Sequence, residues 1–387
     1  MPSPALKYLE LPGPAAAGGA ARRLAWWDWA PLPGGNPGHV VVCVHGLSRQ
    51  GRDFDALADV LTAHARVVCV DVAGRGHSDW LAEPMGYQIP QYGADLLALL
   101  QHLRADPGVH HMDWVGTSMG GLIGMALAAP PHQALRRLVL NDVGPEIAPE
   151  GLERIRGYVG QGRSFPTWMH AARALQEGQG DVFPDYEVAD WLAMAKRCMV
   201  VGGNGRIVFD YDMKIAEPFS QPGGEAGVDL WPAFAALDGR PVTLLRGELS
   251  DILSPETLAK MAGMLSDCEA VTVPRVGHAP LLHHAVQQHV GQRGHAHALV
   301  VRHEGAHQRE GTALQLACGR VVQRLHEAVA PARALRGQRA QVAAGAGGID
   351  LDSQRGGVRG HHAFALRRAP QRQARHTLWR VLVGQGV

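Results

Sequence analysis

The passage Asp113-Trp114-Val115-Gly116-Thr117-Ser118-Met119-Gly120-Gly121 constrains the fold most. An apolar run of strand character stops at a serine set between glycines, and a helical pattern begins at once, from Met119 to Ala129. To turn that sharply the chain must strain the backbone of the central residue, and the flanking positions must be nearly side-chain-free, because a Cβ there meets neighbouring backbone. The turn projects a hydroxyl. In a chain holding 48 glycines the pentapeptide G-x-S-x-G fits an ordinary strand-to-helix turn equally well, so the surrounding pattern must decide.

That pattern is one of alternation. Two short strands, Ala5 to Leu11 and Arg22 to Ala30, come first, separated by Pro12-Gly13-Pro14 and an Ala/Gly linker. His39 to Val44 is a continuous β-branched run of the kind that is buried on both faces, and it ends at His45-Gly46-Leu47. A helical pattern over Arg52 to Ala65 leads to a second buried strand, Arg66 to Asp71. Gln91 to Leu103 is an amphipathic helix, His111 to Thr117 the strand feeding the serine, and Leu135 to Asn141 another strand. Strand, helix and strand in turn predict a parallel, doubly wound α/β sheet. From Gly144 to about Leu230 the texture changes to helical patches rich in large apolar residues, among them Ile155, Phe165, Leu175, Phe183, Trp191, Met194 and Phe209, which reads as an inserted helical module. The sheet pattern resumes at Arg240 to Arg246, with a helix over Pro255 to Leu265 and a last strand over Glu269 to Pro274.

Charge divides the chain in two. From His283 onward there are fifteen arginines, no lysine and five acids, a net of +10, which leaves −9 for residues 1 to 282 out of the overall +1. The segment 291–387 is also rich in His, Gln, Gly and Ala and shows no sustained period, so an irregular or disordered tail is expected there. A basic nucleic-acid-binding tail and a His-rich metal-binding tract are alternatives. A reading-frame artefact is favoured, because four lysines against 33 arginines imply a GC-rich gene whose other frames encode this composition. The five cysteines form no C-x-x-C pair, which argues against a zinc site or a disulfide framework and for a reduced, cytoplasmic protein. No secretory signal and no run near the roughly 20 apolar residues of a membrane span is visible. The glycine-rich loop Asp71 to Ser78 lacks the Lys-Ser/Thr ending of a phosphate-binding loop.

In a parallel sheet the strands' C-terminal ends lie along one edge, and here the loops after four of them carry His45-Gly46, Ser118, Asp251 and His278. This order, together with Asp71-x-x-Gly74-x-Gly76-x-Ser78, resembles the α/β-hydrolase family over roughly residues 5 to 282. The resemblance implies Ser118 as nucleophile, His278 as its base and an acid that orients the histidine. It implies an oxyanion hole from the backbone N–H groups of Leu47 and Met119, braced by His45 and Gly46. For the acid, Asp251 in the Gly-Glu-Leu-Ser-Asp loop is favoured over Asp142, which follows the strand after the serine; Glu248 is a third candidate. A serine nucleophile excludes the family's dehalogenase and epoxide hydrolase branches, which use a carboxylate. Ala279 after the histidine departs from the tryptophan usual in the carbon–carbon bond hydrolases.

The expected organisation is a core over 1–143 and 231–290, a helical cap over 144–230, and the atypical tail over 291–387. The expected activity is hydrolysis of an ester, lactone or thioester of a small to medium apolar acyl substrate, with no cofactor and no metal, and for the core no nucleic-acid or membrane partner. A carbon–carbon hydrolase, an acyltransferase or a non-catalytic binding member of the fold are the alternatives. Substrate identity and oligomeric state are not legible in the residues.

Overall fold

The computed structural model describes residues 3–13, 21–129, 135–220 and 229–280. In chain order its elements are β1 (Ala5–Leu11), β2 (Arg22–Trp29), β3 (Asn36–Val44), α1 (Asp55–Leu61), β4 (Ala65–Asp71), α2 (Ile89–Arg104), β5 (His111–Thr117), α3 (Met119–Ala128) and β6 (Leu138–Asn141). Next come α4 (Pro149–Tyr158), β7 (Ser164–Phe165), α5 (Trp168–Gln179), α6 (Val188–Cys198), β8 (Met199–Val201), β9 (Ile207–Phe209) and α7 (Trp231–Ala235). The series ends with β10 (Val242–Gly247), α8 (Pro255–Met264) and β11 (Cys268–Val273).

Eight strands form one sheet in the order β1-β2-β4-β3-β5-β6-β10-β11. Every pairing from β4 to β11 is parallel, and β2 meets both β1 and β4 antiparallel. The β-branched run of β3 explains its central place, because its alternate residues serve opposite cores. Val40, Val42 and Val44 pack with Leu96, Leu99 and Ile123 from α2 and α3. Val41 and Cys43 pack with Leu57, Ala58 and Leu61 of α1 on the other face. Each fully buried aliphatic side chain of this kind contributes about 1.5–3 kcal/mol. Burial on both faces therefore locks the register of the strands that carry the site.

Helices predominate between β6 and β10, as expected of that segment, but they are joined by a small antiparallel sheet, β7-β9-β8. Strands of two or three residues leave no readable period in a sequence. Phe165, Leu175, Phe183, Trp191 and Met194 form a hydrophobic cluster of their own, whereas Ile155 joins the main core. The segment is tied to the loops that follow the sheet's strands at several points. Gly277 N–H donates to Val182 O at 2.8 Å, Asp212 N–H to Gly74 O at 2.8 Å, and Tyr87 Oη–H to Asp212 Oδ2 at 2.6 Å. Among the described residues no helix is long and apolar enough to cross a membrane. The expected closing helix from Leu281 and the 291–387 tail lie outside the described residues.

Candidate active site

Ser118 sits between β5 and α3 with φ 51° and ψ −118°, a backbone conformation that costs of order 1–3 kcal/mol for a residue other than glycine. The surroundings hold it there. A Cβ at Gly116 would run into the carbonyl of Gly120, and one at Gly120 into that of Val44, so both flanking glycines are required by close backbone approach. Ser118 N–H donates to Asn141 O at 2.9 Å, which ties the turn to the end of the neighbouring strand β6.

His278 follows β11, and its Nε2 lies 2.9 Å from Ser118 Oγ while its Nδ1 lies 2.8 Å from Asp142 Oδ2. A carboxylate can only accept, so Nδ1 carries the proton and Nε2 is left to accept from the serine hydroxyl. Asp142 is completely buried, has φ 57°, and its second oxygen accepts from Gly247 N–H at 2.9 Å. The preference for Asp251 over Asp142 as the partner of His278 is thereby corrected. Asp251 instead receives both Nε and Nη2 of Arg154, at 2.5 and 2.8 Å. Burial pushes the Asp251 carboxyl up, but the Arg154 guanidinium outweighs it and holds the carboxyl below the usual carboxylate range. Glu248 accepts from Arg275 N–H at 2.8 Å, away from the histidine. The physical reason is strand order: β6 lies between β5 and β10, so the residue leaving β6 is the one delivered beside the serine turn.

The loop after β3 brings His45, Gly46 and Leu47 to the same cavity as Ser118 and His278. His45 is buried, and its Nδ1–H donates to Gly46 O at 2.7 Å while Nε2 accepts from Val72 N–H at 3.0 Å. Burial pushes its imidazole down to about 4, so the ring that joins these two loops is neutral near pH 7. Among the described residues neither Leu47 N–H nor Met119 N–H donates a hydrogen bond.

Two further residues act here that sequence reasoning passed over. Arg75 is completely buried; its Nε donates to Leu47 O at 2.8 Å, its Nη1 to Ala73 O and Tyr92 Oη at 2.6 and 2.9 Å, and its Nη2 lies 3.8 Å from Met119 Sδ. One guanidinium thus touches both Leu47 and Met119. Asn141 Nδ2 donates to Pro280 O at 2.8 Å and Thr117 Oγ1 at 3.1 Å, linking the histidine loop to the serine turn. Arginine in a glycine loop and asparagine at a strand end carry no sequence signal of such roles. Among the described residues no group of three or more His, Cys, Asp or Glu side chains is placed to hold a metal ion.

The cavity over Ser118 has a volume of about 190 Å3 and is walled by core loops on one side and the β6–β10 segment on the other, including Leu175, Phe183 and Met194. A buried acid, an imidazole and a hydroxyl in line, opening on a cavity of mixed apolar and polar lining, form the arrangement used for nucleophilic attack on a carbonyl.

Known proteins share this chain's pattern. The Alpha/beta hydrolase family model matches residues 41–288. The chain is 41% identical to a 3-hydroxybutyrate-oligomer hydrolase of Cupriavidus necator over 72% of its own length and 93% of that protein's. It is 29% identical to an esterase of Mycobacterium tuberculosis, over 63% of its own length and 74% of that protein's. A crystal structure of an alpha/beta hydrolase from Novosphingobium aromaticivorans superposes with a TM-score of 0.64 at 51% identity, covering 73% of this chain and 94% of the other. Relatives and sheet order agree: the chain belongs to the alpha/beta hydrolase family and is an enzyme of the hydrolase class.

Proposed function

We propose that this protein cleaves carboxylic esters through a covalent acyl-enzyme on Ser118, with His278 as general base and Asp142 as the acid that orients it. The observation that carries the reading is the unbroken chain from Ser118 Oγ to His278 Nε2 at 2.9 Å and from His278 Nδ1 to Asp142 at 2.8 Å. Ser118 Oγ attacks the ester carbonyl as its proton passes to His278 Nε2, and the imidazolium that results is stabilised by Asp142. The oxyanion is met by the N–H groups of Leu47 and Met119, each worth about 3–4 kcal/mol to the transition state. On collapse the leaving alkoxide takes the proton from His278. Water, activated by the same base, then releases the acid and restores the serine.

The segment over 144–230 serves as a cap, covering the serine with the apolar wall of Leu175, Phe183 and Met194. A cavity of about 190 Å3 suits a short acyl chain, and the likeness to a 3-hydroxybutyrate-oligomer hydrolase favours oligoesters of short hydroxy acids as the substrate class. Hydrolysis of p-nitrophenyl butyrate and release of monomer from the 3-hydroxybutyrate dimer test the reading. Both are expected in the wild type and are expected to be lost in Ser118→Ala. Turnover that survives in Ser118→Ala contradicts it.

A further inference from the structure

The cavity over Ser118 is lined by three arginines, Arg49, Arg154 and Arg163, against one carboxylate, Asp53. This is a local reversal, because residues 1 to 282 carry a net charge of −9. Two of the three cations are balanced. Arg49 donates through Nε and Nη2 to Asp53, at 2.5 and 2.7 Å, and Arg154 is held in the same two-pronged way by Asp251. Arg163 differs. Its guanidinium rests over the Phe165 ring, 5.7 Å from the centroid, and among the described residues it has no carboxylate partner. An exposed guanidinium at the cavity wall, resting on Phe165 with its donors open, is the counterpart of a planar anion.

We infer that Arg163 forms a carboxylate subsite, so that the preferred substrate is an ester bearing a free carboxylate, with the acid end at Arg163 and the scissile carbonyl at Ser118. The inference rests on the ester-hydrolase reading and narrows its substrate class. The same cavity is also lined by Ile155, Leu175 and Phe183, whose apolar surface suits the hydrocarbon of a short hydroxy acid. Oligoesters of hydroxy acids combine these parts: an ester carbonyl, a short alkyl stretch and one terminal carboxylate that is ionised at neutral pH. The subsite therefore directs cleavage to the ester bond nearest the acid end, releasing one hydroxy acid at each turnover.

The test compares the 3-hydroxybutyrate dimer as free acid with its methyl ester, following cleavage of the internal ester bond. Wild type is expected to favour the acid by about tenfold in kcat/KM, mostly through KM, the size expected of one charge-assisted hydrogen bond. Arg163→Gln should bring the acid-to-ester ratio near one, and Arg163→Lys should retain part of it. A wild-type ratio at or below one overturns the subsite, and so does a ratio that Arg163→Gln leaves unchanged. The wild-type ratio needs no variant, so a folding defect in a substituted protein does not decide the matter. If wild type fails on p-nitrophenyl butyrate as well, it is the ester-hydrolase reading that falls.

Discussion

Ser118, His278 and Asp142 come from three loops, and the third of them shows how far single residues speak for themselves. Serine between glycines is legible because the backbone demands it: Gly116 and Gly120 each abut a main-chain carbonyl. The choice between two acids is not legible, since Asp142 and Asp251 both follow strands and differ only in which strand lies beside the serine. Asp251 also has its own cation in Arg154, a pairing across 97 residues that no local pattern reveals. Asp142→Asn is expected to lower kcat by about 10³- to 10⁴-fold, because an amide cannot hold the tautomer that leaves Nε2 free to accept. Asp251→Asn, at a pair about 30% exposed, should change kcat less than about tenfold. Steady-state kinetics on p-nitrophenyl butyrate compare the two, and the opposite ranking would return the acid's role to Asp251.

The strands β3, β4, β5, β6 and β10 were readable because burial on both faces leaves a continuous apolar run, whereas the edge strand β11 was readable only from its shorter β-branched stretch. The loops between them were readable only by position. The one after β3 is held by the neutral ring of His45, whose imidazole burial pushes from 6.5 to about 4. Between those values the unfolded chain takes up a proton that the folded chain refuses, so stability rises with pH across the window. The contribution is full above about pH 6.5 and is lost as pH falls toward 4, reaching about 3 kcal/mol. Urea denaturation at pH 7, 5.5 and 4.5 should show this decline in wild type and a shallower one in His45→Gln. Equal slopes in the two proteins would mean that the ring is not the source.

At the scale of the whole molecule, the sheet brings His278 and Asp142 to Ser118, and residues of the β6–β10 segment line the cavity beside them. The sheet was foreseeable from alternation. The detail of that segment was not, because its strands β7, β8 and β9 are two or three residues long and its contacts with the core loops, such as Gly277 to Val182, join distant parts of the chain. What the proposed mechanism requires is a single activated hydroxyl at a strained turn, and that can be examined directly. Intact-mass and peptide mass spectrometry after brief exposure to a fluorophosphonate should find one adduct, on Ser118, formed rapidly in wild type and slowed by orders of magnitude in His278→Ala. An unlabelled Ser118, or an adduct whose rate is indifferent to His278, would contradict the account.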